Sequence, residues 1–326
     1  SRRSAGAKRT SCGEILALLH YNIVTLYTHK EANMRKTWLY LTAFLVLVIG
    51  IAWIISYFAQ TNAILIVAVV LSIAMSFGSY WWSDKIVLAM SHAKPIQKSD
   101  DPELYRIVEN LAITAGLPMP RLYIIEEPAM NAFATGRDAN HAVIAVTKGL
   151  RDRLERVELE GVIAHELSHI GNRDMLLSTM VVVLVGLVAI VTDLFFRLAW
   201  HGGFGGRGRD RDEGGQARVV LMLVALALMI FAPLIATLMR FAISRKRELL
   251  ADASGALLTR FPEGLARALE KLDHDVTPLR AANDATSHLF IDDPFKGRER
   301  RSWLHKLFMS HPPLEERVRA LRGMNG

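Results

Sequence analysis

Five consecutive residues near the middle of the chain, His165-Glu166-Leu167-Ser168-His169, carry the clearest sign of chemistry. On a helix, side chains four residues apart share a face, so both imidazoles can reach one metal ion. Glu166 would lie beside that ion, where its carboxylate can accept a proton from water. Apolar residues at mostly helical spacing predict the long helix that would position these groups: Val157, Val162, Ile163, Leu167 and Ile170.

A catalytic zinc site needs a third protein ligand and one position open to water. The chain has a single cysteine, Cys12, so the metal has to be held by histidines and carboxylates. Glu248 and Asp252 lie four residues apart in a predicted helix, and they offer a ligand and a hydrogen-bond acceptor for a ligand imidazole. Spacing alone fits equally well an ordinary solvated acidic pair next to the basic residues 245–247.

The elements around these residues alternate between polar blocks and apolar runs. Uncharged runs long enough to cross a bilayer occupy 38–58, 63–82, 175–192 and 219–239. A spanning helix needs about 20 apolar residues, and aromatic residues near the ends of these runs favour membrane spans over very apolar core helices. Basic flanks place the N-terminus and both polar blocks on the cytoplasmic side of the membrane.

The formal net charge of +7 does not indicate nucleic-acid binding, because residues 1–37 alone hold seven basic and two acidic side chains. Such a cluster before an apolar run is typical of a cytoplasmic membrane flank. Residues 1–33 precede Met34, and whether they belong to the native protein stays open. The predicted organisation is a basic segment 1–37, a transmembrane hairpin 38–82, a cytoplasmic catalytic part 83–174, a second hairpin 175–239 with a Gly-rich loop 201–217, and a second catalytic part 240–326.

Within the polar blocks, periodicity predicts the remaining elements. Asp101-Pro102-Glu103 is typical of a helix start, and Gly116 of a helix end. Leu122–Ile125 and Ala142–Val146 are predicted strands, separated by a loop that contains Asn131–Gly136. The helix with the His-Glu motif is predicted to begin near Arg153. Two amphipathic stripes are predicted to face the core: Leu104, Ile107, Val108, Leu111 and Ala112, and then Leu265, Ala268, Leu269 and Leu272.

Four motifs together resemble the HtpX family of membrane zinc metalloproteases, relatives of the CAAX prenyl proteases. They are His165–His169, Asn131-Ala132-Phe133-Ala134, Glu248 with Asp252, and Ser310-His311-Pro312-Pro313, and the likeness runs from about Met34 to the C-terminus. The resemblance implies an α+β zincin-like metalloprotease domain fused to a mainly α-helical transmembrane bundle with four spans.

The resemblance also implies roles for single residues. Glu248 becomes the third zinc ligand, and Asp252 orients a ligand histidine. Asn131 and His311 line the cleft and help to hold substrate or the developing oxyanion, and Arg317 is a weaker candidate of the same kind. Without the resemblance, Asn131 would be interpreted as a turn residue and His311 as a loop histidine.

The implied function is zinc-dependent endoproteolysis of misfolded or damaged membrane proteins, in quality control and the stress response. One Zn²⁺ per chain, Glu166 as the base and a polypeptide substrate extended along an edge strand would carry it out. The expected location is a bacterial inner membrane, with several spans in the lipid bilayer, a cytoplasmic catalytic domain and no nucleic-acid partner. The natural substrates, the oligomeric state and full crossing by 175–239 stay open, and His/His/Glu ligation favours zinc.

Three alternatives accompany this hypothesis. A narrow-specificity processing protease would share the site and differ in its products. A zinc or proton-coupled transporter usually places ionisable residues within its spans, whereas the four apolar runs here carry none. A non-catalytic membrane scaffold would have no need of Glu166.

Overall fold

The structure is a computed structural model that describes residues 62–180, 245–282, 286–295 and 312–324, with scattered helical positions between 35 and 57. Its helices are α1 (Ala63–Met90), α2 (Pro102–Ala115), α3 (Lys148–Arg153), α4 (Arg156–Gly171), α5 (Arg245–Thr259), α6 (Pro262–His274) and α7 (Leu314–Gly323). Its strands are β1 (Lys94–Pro95), β2 (Arg121–Ile125), β3 (Ala132–Thr135) and β4 (Val143–Thr147). Residues 174–180 are also helical.

The described strands form one mixed sheet in the order β1-β2-β4-β3. β2 and β4 run parallel and confirm the two predicted strands, while β1 and β3 lie antiparallel at the edges. Helices α2 and α6 pack on α4, α4 packs on β3, and residues of these helices and of the sheet share one apolar core. The described part of the chain is therefore an α+β domain.

The loop predicted for Asn131–Gly136 is wrong over Ala132–Thr135, which forms β3 and pairs with β4. All four residues of β3 are buried. The ring of Phe133 meets that of Phe290 edge to face at 5.2 Å, and Thr135 Oγ1 lies 2.9 Å from Thr179 Oγ1. Alanine has little intrinsic preference for strands, so burial against distant parts of the chain decides this element.

Helix α2 confirms the predicted start and end of the first amphipathic helix. Asp101 accepts a hydrogen bond from Leu104 N at 3.0 Å, and Gly116 closes the helix in the left-handed conformation with φ of 66°. The predicted apolar stripe is buried along the whole helix. Arg151 of α3 donates to both carboxylate oxygens of Asp101, so the same side chain joins two helices.

Replacing Asp101 with alanine should lower the free energy of unfolding by about 1 kcal/mol at neutral pH through the lost helix cap. Burial raises the pKa of Asp101, but hydrogen bonds from Arg151 and from backbone N–H groups bring it below its ordinary value. The cap therefore stabilises the fold above the unfolded pKa of about 3.9, and this contribution disappears as the pH falls through the folded value. Thermal unfolding in detergent should show a gap between wild type and Asp101→Ala at pH 7 that narrows toward pH 3. A gap that widens in acid would contradict the assignment.

Helix α4 carries the His-Glu motif and begins at Arg156, three residues later than predicted, because the chain breaks after α3 at Leu154. Its start is a capping box, in which Glu155 N donates to the Glu158 carboxylate at 2.8 Å. The predicted apolar stripe is buried except at Val157, which is 38% exposed.

Helix α5 crosses α4 so closely that only glycine fits at the contact. A Cβ on Gly255 would lie 2.9 Å from His165 N, and one on Gly161 would lie 2.6 Å from Leu265 N of α6. The first glycine lets α5 approach the first motif histidine, and the second lets α6 approach α4 one turn earlier. Leu265, together with the rest of the predicted stripe of α6, is buried there, which confirms that prediction.

Helix α1 continues through the predicted hairpin boundary at 82 to Met90 and is bent. Among the described residues, no single helix is straight, long and apolar enough to cross a bilayer. Leu65–Gly78 and Tyr80–Met90, inclined by 74°, have that length and composition only when taken together. The predicted spans 175–192 and 219–239, apart from 175–180, lie outside the described residues, as do 1–33 and the loop 201–217. The four-span bundle stays a prediction.

Candidate metal centre

Helices α4 and α5 bring His165, His169 and Glu248 together. His165 Nε2 lies 3.2 Å from His169 Nε2, and the two rings are nearly perpendicular, at 89°. Glu248 Oε2 lies 3.8 Å from His165 Nε2, and its Oε1 lies 3.6 Å from His169 Nε2. One ligand atom from each residue falls within 4.8 Å of the others, so three donors converge on one point.

This geometry fits a tetrahedral zinc ion. Ligand atoms about 2.0–2.1 Å from such an ion lie roughly 3.3 Å from one another. The observed separations of 3.2, 3.6 and 3.8 Å need only small side-chain adjustments to reach that value. Two neutral imidazoles and one carboxylate are also a donor set that zinc accepts, with a fourth position left for water.

Behind His165 lies a buried ion pair. Asp252 Oδ1 is 2.9 Å from His165 Nδ1, which fixes the ring so that Nε2 faces the other two donors. Arg317 of α7 is fully buried and donates to both carboxylate oxygens of Asp252, at 2.8 and 2.7 Å. Burial alone would raise the pKa of Asp252, but the charge and hydrogen bonds of Arg317 hold it at about 2. Asp252 therefore stays ionised.

A second carboxylate, which the sequence reasoning missed, stands behind His169. Asp174 Oδ2 lies 3.5 Å from His169 Nδ1, and its Oδ1 lies 3.4 Å from Arg247 Nη1. Burial lowers the pKa of His169, but the hydrogen bond to Asp174 and the charge of Glu248 raise it to about 9. The imidazole therefore holds a proton that a metal ion has to displace, and metal affinity should weaken as the pH falls. The position of Asp174, just beyond the motif helix, was the available signal.

Glu166 is 2% exposed, next to His165 in α4. Burial raises the pKa of its carboxyl, and the nearby charge of Glu248 adds to that rise, against the opposing effect of the two histidines. A carboxyl with a raised pKa is a stronger base when ionised, as proton abstraction requires.

The remaining predicted site residues are Asn131 and His311. Asn131 is buried at the start of β3, where its Nδ2 donates to Asp292 O at 3.0 Å and its Oδ1 accepts from Ala132 N and Asp292 N. These hydrogen bonds join the carboxamide to the backbone of Asp292. A role of Asn131 in holding substrate stays a prediction. His311 lies outside the described residues.

Comparison with known proteins identifies the family. The model described as Peptidase family M48 matches residues 98–325, which include both halves of the metal centre. The chain belongs to peptidase family M48. Among relatives of this M48 peptidase, Protease HtpX homolog of Dictyoglomus thermophilum is 43% identical over 301 residues, 92% of this chain and 95% of that protein. Protease HtpX homolog of Syntrophobacter fumaroxidans is 49% identical over 266 residues, 80% of this chain and 89% of that protein.

These relatives confirm the resemblance to the HtpX family, and the M48 peptidase is therefore a metalloprotease. A crystal structure of S. mikatae Ste24p aligns with 88% of this chain and 66% of that one, at 20% identity and a TM-score of 0.47.

Proposed function

We propose that this M48 peptidase is a membrane-embedded zinc endopeptidase that hydrolyses peptide bonds of misfolded or damaged membrane proteins. The observation that carries the proposal is the convergence of His165, His169 and Glu248 within 4.8 Å, with the buried Glu166 on the same helix. We assign the first three as ligands of one Zn²⁺ per chain, with Asp252 and Asp174 as acceptors that orient the two imidazoles.

The chemistry follows from these positions. When bound, zinc supplies a Lewis acid that lowers the pKa of a water molecule toward about 7 and polarises the scissile carbonyl. Glu166 accepts the proton of the attacking water and delivers it to the leaving amine. Asp252 and Arg317 orient His165, because Asp252 lies 2.9 Å from its Nδ1 and Arg317 holds both oxygens of Asp252.

Strand β3 supports an extended substrate. In its antiparallel pairing with β4, Asn131 O accepts from Thr147 N, so Ala132 and Ala134 direct their N–H and C=O groups to the outer edge. Ile291 N already donates to Ala132 O at 3.0 Å. Substrate would therefore pair at Ala134, by backbone hydrogen bonds that demand little of its sequence.

Membrane embedding is supported by position. His169 lies six residues before the apolar run at 175, and only residues 172 and 173 separate α4 from the helical residues 174–180. The site would therefore lie close to the cytoplasmic surface of a bacterial inner membrane. The first half of α1 also exposes large apolar side chains, Ile66, Val67 and Val70 among them, each more than 60% exposed. A role in quality control is supported by the proposed pairing of substrate with β3, because that pairing requires an unfolded, extended polypeptide.

Removal of the metal tests this proposal. Protein purified in detergent should contain about one zinc per chain and cleave casein and an unfolded membrane protein. A chelator should abolish both activities, because the proposed attack by water depends on the metal, and added zinc should restore them. Elemental analysis and gel-based cleavage give the two readouts. Cleavage that survives complete removal of zinc would contradict the proposal, and cleavage of one defined membrane substrate without casein would favour a processing protease.

A further inference from the structure

A cavity of about 360 Å³ lies between the second half of α1 and the sheet, outside the metal centre. Its wall on the α1 side is aromatic and consists of Phe77, Trp81 and Trp82. The rest of the lining consists of three basic side chains, one acidic side chain and a histidine: Lys85, Arg121, Arg137, Asp84 and His141. None of these residues belongs to the metal centre.

Among the described residues, two of the three basic side chains that line the cavity form ion pairs with nearby carboxylates and one does not. Arg121 Nη2 lies 2.6 Å from Asp84 Oδ2, and Arg137 Nε lies 3.2 Å from Asp138 Oδ2. Lys85 is exposed, and no ion pair joins it to any residue in the described part of the chain. The cavity therefore retains positive charge and favours an anion.

The aromatic wall is held in place by one of these cations. The Arg137 guanidinium lies 4.4 Å from the ring centroid of Trp81, and its Nη2 donates to His141 Nε2 at 2.7 Å. His141 Nδ1 in turn donates to Asp138. Arg137 is thus fixed with one face on an indole ring, while Trp81 and Trp82 stay 43% and 53% exposed.

Along α1, the exposed side chains change from aliphatic to aromatic and then to basic. The first half, up to Gly78, exposes aliphatic side chains, the stretch from Phe77 to Trp82 exposes aromatic rings, and Lys85 follows one turn later. Hydrocarbon, interface and phosphate follow one another in the same order across a bilayer leaflet. A soluble phosphorylated ligand would match the basic end of this series but would leave the aliphatic end without a partner.

We propose that this cavity binds the phosphate of an anionic phospholipid, with Lys85 as its cationic contact and the aromatic wall against the glycerol and upper acyl chains. The inference rests on the membrane embedding proposed above. It would place the lipid at the bend of α1, and so hold the catalytic domain at a defined height on the membrane.

Lipid titration with a matched lysine pair tests the inference. Detergent-purified protein is titrated with phosphatidylglycerol or phosphatidylcholine, and bound lipid is counted by native mass spectrometry. Phosphatidylglycerol should bind more tightly, and Lys85→Gln should weaken it by about fivefold, the usual effect of one basic residue near an anionic surface. Lys98→Gln removes another exposed charge, one that pairs with Glu109 and does not line the cavity, and it should bind like wild type.

Two further measurements distinguish a lipid from a free anion, and distinguish failure of the lipid site from failure of the proposed function. Displacement of phosphatidylglycerol by millimolar inorganic phosphate would assign the cavity to a free anion and overturn the lipid proposal, as would equal binding by wild type and Lys85→Gln. Alkaline extraction of membranes and casein cleavage are measured on the same preparations. A chain released by alkali would refute both proposals, whereas a chain that is retained and active but does not discriminate between the two lipids would refute the lipid site alone.

Discussion

Glu166→Gln should lower kcat for peptide hydrolysis by about 10²–10⁴-fold, the usual contribution of a positioned general base. Glutamine preserves the volume of this buried side chain but cannot accept a proton. The metal content should stay near one zinc per chain, because His165, His169 and Glu248 are unchanged. Turnover of casein and elemental analysis, carried out on the same preparation, provide the two readouts.

Glu160→Gln is the matched control for this substitution. Glu160 lies on the same helix, where its carboxylate pairs with Arg156 at 2.9 Å on the surface. Loss of that exposed pair should cost less than about 1 kcal/mol of stability and leave turnover unchanged. If Glu166→Gln cleaves as fast as Glu160→Gln, Glu166 is not the base. If it loses zinc together with activity, its role is structural.

Local sequence patterns correctly predict the helices that pack one face against the core and expose the other to solvent. Helix α2 has its cap at Asp101, its stop at Gly116 and a buried stripe between them, and α6 shows the same agreement around Leu265. Both helices are amphipathic because their opposite faces meet solvent, and that contrast is visible in a single sequence. The motif helix α4 is predicted less well at its start, because the break at Leu154 separates two segments that both have helical character.

Strand β3 and the supports of the metal centre show where such patterns stop being informative. β3 is buried on both faces, so its residues show no alternation, and Phe133 finds its partner Phe290 far along the chain. Arg317 is likewise defined by a tertiary contact, with Asp252, whereas Asp174 lies five residues after His169 and could have been considered from its position. Spacing can assign two residues to one helix face, but the neighbour of that face follows only from the packed structure.

Arg317→Met should weaken zinc binding by about 10–100-fold, the usual consequence of losing support behind a ligand. The Arg317 guanidinium holds both oxygens of Asp252, and Asp252 holds His165 Nδ1 at 2.9 Å. Without the arginine, burial would raise the pKa of Asp252, and its carboxylate would lose the geometry that orients the ring. Because a buried charge is left without compensation, the free energy of unfolding should also fall by about 3–5 kcal/mol. Competition with a chromophoric chelator measures the affinity, and thermal unfolding measures the stability.

Three further variants separate a role of Arg317 in orienting His165 from a role in folding. Arg319→Met, on the exposed side of the same helix, should change neither quantity. Arg317→Met combined with Asp252→Asn removes the uncompensated charge, so it should recover part of the stability while zinc affinity stays low, because the ring still lacks its carboxylate. Arg317→Lys keeps one charge but cannot donate to both oxygens at once, so it should fall between wild type and Arg317→Met in zinc affinity. Recovery of zinc affinity in step with stability in the double variant would mean that Arg317 acts on the fold alone.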